Sequence, residues 1–193
     1  MEWRAAPGSI VGDAGKRATH RAGTISELGT GRVGNSRVVT RPQAIRQCER
    51  WRRAGQQVVL TNGCFDLLHL GHARYLQAAR AFGRLVVGLN SDESVRRLKG
   101  PERPLVPESD RAELLAALRW VDLVTIFDEP TAEILVEALH PNVYVKGADY
   151  GPNARPLPES LVAERLGARV ELIPMVPGHS TSALIELIRR QSP

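Results

Sequence analysis

The feature that most constrains this chain is a series of five short apolar runs separated by stretches of helical spacing. Residues 57–61, 85–89, 123–127, 143–145 and 170–173 are rich in Val, Leu and Ile and short enough to be strands. Between and around them, residues 73–82, 92–98, 108–118, 131–139, 158–166 and 181–190 read as helices. Residues 41–53 add one more before the first strand, with Ala44, Ile45, Cys48 and Trp51 at helical spacing. Gly83 and Gly167 close two of the helices, and Pro141 follows another. Strands this apolar must be covered on both faces, and a helix after each strand supplies that cover by a parallel crossover.

The right-handed crossover rule then predicts an α/β fold, a Rossmann-like three-layer sandwich with a five-stranded parallel sheet. Ligands of such sheets bind beyond the carboxyl ends of the strands, where the strand order reverses. The expected domain spans 39–193. Residues 1–38, with many Gly, Ser, Thr and Arg and no apolar period, are expected to form a disordered basic leader. Charge is uneven: the net +5 is made up of 11 basic and 4 acidic residues in 1–53 against 15 and 17 in 54–193. The helix at 41–53 therefore holds part of the excess positive charge, and the leader the rest. The leader's charges have no interleaved aromatic residues for stacking on bases, so it reads as a solvated tail with no nucleic-acid partner. No apolar run approaches the ~20 residues of a membrane span, and no apolar stretch follows the N-terminal charges as in a secretory signal. Two cysteines, Cys48 and Cys64, are too few for a disulfide framework or a zinc site. A reducing cytoplasm is the expected location.

After the first strand comes Thr61-Asn62-Gly63-Cys64-Phe65-Asp66-Leu67-Leu68-His69-Leu70-Gly71-His72. Gly63 permits a tight turn, and Gly71 leaves room for a phosphate at a helix start, where free backbone N–H groups and the dipole attract anions. His69 and His72, three residues apart, can present both rings on one side of that opening turn. Imidazole N–H groups donating to phosphates suit phosphoryl or nucleotidyl transfer, which needs positioning and charge neutralisation more than a strong base. A metal ligand or a core position is the competing reading of either histidine. Neither a GxGxxG fingerprint nor a Gly-Lys-Ser/Thr phosphate loop is present.

The His-x-Gly-His segment resembles the motif of the nucleotidyltransferase superfamily that includes cytidylyltransferases and pantetheine-phosphate adenylyltransferase. Further segments narrow the resemblance: Asn90-Ser91-Asp92, Arg97-Leu98-Lys99-Gly100 with Arg103-Pro104, Val145-Lys146-Gly147-Ala148-Asp149-Tyr150 and Ser180-Thr181-Ser182. Over residues 38–190 the chain resembles the D-glycero-β-D-manno-heptose 1-phosphate adenylyltransferases, which occur alone or as the second half of a bifunctional kinase/adenylyltransferase. The resemblance implies that His69, His72 and Lys99 act in the transfer. It implies nucleotide contacts from Asn62, Gly63, Cys64, Phe65, Asp66 and Gly71 in the signature, and from Arg111, Lys146, Gly147, Asp149, Ser180, Thr181 and Ser182 beyond it. Asn90, Asp92 and Lys146 are expected on the sugar-phosphate side. ATP with Mg²⁺, carried by substrate and waters rather than by protein ligands, and a homodimer are also implied.

Several of these positions keep a second reading. Only three of the 26 basic residues are lysines, so Lys99 and Lys146 in loops suggest point charges on phosphate, with surface lysines as the alternative. Arg111 is either a phosphate ligand or a solvated helix residue. Asp66 is expected to orient the loop and the histidines. Asp92 serves sugar hydroxyls or caps its helix. Ser180-Thr181-Ser182 is an N-cap cluster, a second phosphate site, or both. His179 stands where related enzymes often have Ile, Cys or Arg. Cys64 has no fixed base beside it and is not expected to be a nucleophile. The expected reaction converts ATP and heptose 1-phosphate to ADP-heptose and pyrophosphate. The alternatives are a glycerol-phosphate-type cytidylyltransferase and a non-catalytic nucleotide-binding module. A tRNA-linked role is disfavoured because no Lys-Met-Ser-Lys-Ser loop is present.

Overall fold

The computed structural model describes residues 37–147, 157–174 and 176–191. Asp149 and most of the expected leader lie outside the described residues. The strands are β1 (Val58–Gly63), β2 (Arg84–Asn90), β3 (Leu123–Phe127), β4 (Val143–Gly147) and β5 (Arg169–Ile173). The helices are α1 (Arg41–Arg53), α2 (Leu70–Arg80), α3 (Asp92–Lys99), α4 (Glu108–Ala117), α5 (Glu133–Leu139), α6 (Pro158–Arg165) and α7 (Thr181–Gln191). All strand pairs are parallel, in the order β3-β2-β1-β4-β5. The predicted α/β sandwich is therefore the fold. The strand order reverses between β1 and β4, so the carboxyl ends of these two strands mark the crevice where a ligand can enter.

Alternation along each strand sends side chains to two cores. On one face Val58, Leu60, Val86, Phe127 and Tyr144 pack with Ala44 and Cys48 of α1, Leu135 and Leu139 of α5, and Val162 and Ala163 of α6. On the other, Val59, Leu85, Val87, Leu89 and Val145 pack with Tyr75, Leu76 and Ala79 of α2 and Ala112, Leu115 and Ala116 of α4. Tyr75 adds a buried polar tie: its hydroxyl lies 2.6 Å from Thr61 Oγ1 and donates to the Val145 carbonyl at 3.0 Å.

Several boundaries shift, among them the following three. β1 runs to Gly63 because Asn62 and Gly63 continue in register beside Gly88 and Leu89 of β2. α2 begins at Leu70 instead of residue 73, since His69 caps it. Arg37 and Val38, expected in the leader, are tied to β3: Val38 bridges Val124, and Arg37 Nη1 donates to the carbonyls of Ala116 and Val121 at 3.3 Å. Among the described residues no helix is long and apolar enough to cross a membrane.

Candidate active site

The turn from β1 to α2 builds the first wall of the crevice. His69 is the N-cap of α2, in extended conformation, and its Nδ1 accepts the backbone N–H of His72 at 3.4 Å. An accepting Nδ1 is unprotonated, which leaves the neutral ring with its proton on Nε2 as a donor. The His72 ring stacks on that of His69, with centroids 3.8 Å apart and an interplanar angle of 21°. Burial, and secondly the neighbouring His69, push the His72 pKa down to about 4, while the Leu67 backbone carbonyl acts weakly the other way. His69 is shifted down too, first by burial and then by His179. Both rings are thus neutral near pH 7, each with one N–H to give. His72 Nδ1 is buried and has no hydrogen-bond partner among the described residues. Gly71 is required here: a Cβ on it would stand 2.9 Å from the His69 ring and 3.1 Å from the His179 Cβ.

Phe65 was expected to touch the nucleotide, but it is buried and packs behind the site. Its ring lies 5.2 Å from that of His72 and covers Gly63. Its φ of +45° is a left-handed conformation rare for an aromatic residue, and it turns the chain sharply after the strand. Asp66 was expected to orient the loop and the histidines. Its carboxylate accepts from Arg103 Nε at 2.6 Å and from the backbone N–H groups of Leu105 and Val106 at 2.8 and 3.0 Å. It fastens the α3–α4 loop, which follows Lys99 at the end of α3, to the signature.

Arg111 differs most from expectation. Its side chain is fully buried, and its guanidinium is spent inside the protein. Nε donates to the Val106 carbonyl at 2.8 Å, Nη1 to the carbonyls of Cys64 (2.5 Å) and Asn90 (2.9 Å), and Nη2 to Asp92 Oδ1 at 2.6 Å. One planar donor fork thereby satisfies the carbonyl just past β1 and the carbonyl that ends β2. Arg111 is therefore a clamp on the crevice floor and not an exposed phosphate ligand. Asp92 pairs with it, and the α3 cap is Ser91, whose Oγ accepts the Ser94 N–H at 3.1 Å. Asn90 is also turned inward, with Nδ2 donating to Ser94 Oγ at 2.9 Å.

Burial pushes the Cys64 thiol up, and the charges of Lys99, Arg111 and Arg103 oppose that shift. The thiol is protonated near neutral pH, and three cations surround this part of the signature. Lys99 and Ser182 both line a cleft of about 740 Å³ between the α3–α4 loop and α7. On the other side of β1, Asn62 Oδ1 accepts from the Tyr144 hydroxyl at 2.5 Å. Lys146 pairs with Glu159 of α6 at 3.0 Å, both side chains being largely buried, and its ammonium lies 5.9 Å from the Tyr144 ring centre. Gly147 ends β4 beside these groups.

The N-terminus of α7 closes the arrangement. Ser180 Oγ accepts the Ala183 N–H at 3.1 Å, and Thr181 Oγ1 donates to the Leu67 carbonyl at 3.5 Å. Two helix starts, with their free N–H groups and positive dipole ends, are thereby brought against the same signature loop. Helix starts placed this way attract anions.

The profile of the cytidylyltransferase-like family matches residues 60–186, the span from β1 to α7 that builds this site. The chain belongs to the cytidylyltransferase-like family. Relatives in this family include the bifunctional protein HldE of Geotalea uraniireducens, 48% identical over 189 residues, which make up 97% of this chain and 38% of that protein. The HldE proteins of Acidiphilium cryptum (45% over 185 residues, 95% of this chain and 38% of the relative) and Syntrophotalea carbinolica (56% over 138 residues, 71% and 28%) are similar. This cytidylyltransferase-like chain thus spans well under half the length of these relatives. Among solved structures, a lipopolysaccharide core biosynthesis protein from Thermoplasma volcanium superposes with a TM-score of 0.51 at 28% identity, over 63% of this chain and 98% of that one.

Four participants escaped the sequence reading as site residues: Arg103, Tyr144, Glu159 and His179. Arg103 and Tyr144 act through partners 37 and 82 residues away, a separation no local pattern reports. Glu159 follows Pro158 in the first turn of α6 and reads there as an ordinary acidic residue at a helix start.

Proposed function

We propose that this protein transfers AMP from ATP to a sugar 1-phosphate, with D-glycero-β-D-manno-heptose 1-phosphate as acceptor, giving ADP-heptose and pyrophosphate. The observation that carries the proposal is the convergence of the His69/His72 pair at the start of α2 with the start of α7, facing Lys99 across the signature loop. The choice of adenine and heptose rests on the Leu-Lys-Gly and Val-Lys-Gly-x-Asp-Tyr segments, and on high identity to relatives named bifunctional.

The acceptor phosphate is already ionised at neutral pH, so its oxygen attacks the α-phosphorus directly and pyrophosphate leaves in line. No general base is needed, in keeping with two neutral imidazoles and a protonated Cys64. The Nε2–H of His69 and an N–H of His72 donate to phosphate oxygens as charge builds there. Lys99, Ser180, Thr181 and Ser182 bind the rest of the triphosphate. Lys146, held by Glu159 beside Asn62, meets the acceptor phosphate. Among the described residues no three His, Cys, Asp or Glu side chains converge on one point, and the Asp66 and Asp92 carboxylates are engaged by arginines. In this reading Mg²⁺ enters as part of the MgATP substrate. A homodimer belongs to the same reading, supported by Leu187 and Ile188 of α7, which are 52% and 59% exposed.

The test is pyrophosphate release with a panel of heptose and hexose 1-phosphates, each offered with ATP and with CTP. Release with ATP and the heptose phosphate is expected. Release with CTP alone refutes adenylyl transfer, and nucleotide binding without turnover on any acceptor points to a non-catalytic module.

A further inference from the structure

We propose that His179 is a third imidazole of the phosphate site, contacting the pyrophosphate half of the bound triphosphate. The proposal deepens the adenylyl-transfer reading and rests on it for the identity of the ligand.

The placement comes from the chain entering α7. Gly178, with φ at +76°, turns the backbone, and the His179 N–H donates to the Val176 carbonyl at 3.3 Å. This sets His179 just ahead of Ser180, the capping residue of α7. Thr181 ties that helix start to the Leu67 carbonyl. His179 thereby reaches the opening turn of α2, where it and the His69 ring crowd the same Gly71. The ionisable group set against His179 is His69, with His72 stacked behind it. Among the described residues the His179 ring has no hydrogen-bond partner.

Three imidazoles around one glycine, at the positive ends of two helices, make an arrangement suited to an anion. A structural role would leave such a ring paired or packed in an apolar setting. Here the ring stands at a helix start beside two further imidazoles. His69 and His72 belong to α2 and serve the phosphate under attack. His179 belongs to the α7 side, which faces the departing end. In the transfer, the acceptor oxygen forms its bond to the α-phosphorus. The bond from that phosphorus to the bridging oxygen breaks, and the electron pair leaves on pyrophosphate. His179 donates an N–H to that group and loses no proton overall.

The experiment measures binding of inorganic pyrophosphate and of AMP, separately, by calorimetry to the wild type, His179→Ala and His179→Gln, with melting temperature as the control on folding. The expected result for His179→Ala is about tenfold weaker pyrophosphate binding, the loss of one charge-assisted hydrogen bond, with AMP affinity within about twofold and melting unchanged. His179→Gln, which keeps a donor of similar reach, should lie between. Unchanged pyrophosphate affinity in His179→Ala overturns the proposal, as does equal weakening of AMP and pyrophosphate, or a wild type that binds no pyrophosphate. Because turnover is not read, the two ideas fail separately. A wild type that forms no nucleotide sugar, yet loses pyrophosphate binding on His179→Ala, refutes adenylyl transfer and upholds His179.

Discussion

Replacing Arg111 by methionine separates a clamp from a ligand. Methionine fills much of the same volume but has no donor. The carbonyls of Val106, Cys64 and Asn90 lose their charged partner, and Asp92 loses its counter-ion. Each such bond is worth about 1.5–3 kcal/mol when a charge is involved, and removing one member of a buried pair costs about 3–5 kcal/mol. The Asp92 side chain is 27% exposed and regains water, which keeps the total near the lower figure. A net loss of about 3–4 kcal/mol lowers the melting temperature of a domain this size by roughly 10 °C. Arg111→Lys should recover little, since one ammonium cannot span three carbonyls and a carboxylate. The assay is thermal unfolding alongside pyrophosphate release. A variant that melts within about 2 °C of the wild type while losing activity would refute the clamp and restore Arg111 as a phosphate ligand.

His72→Ala should lower turnover at least about a hundredfold with melting retained, checked by steady-state kinetics and calorimetry. Gly71→Ala should have a comparable effect on turnover because the new Cβ displaces the His69 ring, with little change in melting; an unaffected rate would show that the slot is roomier than the 2.9 Å approach implies. The His72 pKa is lowered from 6.5 to about 4, so between those values the unfolded chain binds a proton that the folded one refuses. Stability should therefore fall as pH drops from about 6.5 to 4, by about 3 kcal/mol at most from this residue, and His72→Asn should flatten that slope. Anionic phosphates reverse the balance by favouring protonation, so the melting-temperature gain from ATP should grow as pH falls over the same window. Glu159→Gln should raise the KM for the sugar phosphate severalfold with the KM for ATP within about twofold; equal changes in both would place Lys146 elsewhere.

Much of the fold follows from local pattern. Each of the five apolar runs became a strand: β1 to β4 are largely buried between helical layers, while β5 is a half-exposed edge of the sheet. The signature was equally legible: a capping His, a Gly and a second His are neighbours in sequence, and a single helical turn brings them together. Their chemistry is set by local geometry. The roles of the other polar residues were not local. Whether Arg111 faces a ligand or the interior depends on the carbonyls at the ends of β1 and β2, and those strands are joined only by sheet pairing. Asp66 could have served the histidines three and six residues on, but the α3–α4 loop, some 40 residues away, folded back to claim its carboxylate. His179 is brought to Gly71 by the α7 start docking across the crevice, more than 100 residues along the chain. The sequence by itself determined the layers, the strand count and the His-x-Gly-His turn, since these follow from burial and helix geometry over a few residues. Only the tertiary structure decided which charges point outward to a ligand and which hold the site together. That choice is made by whichever buried donor or acceptor would otherwise go unpaired.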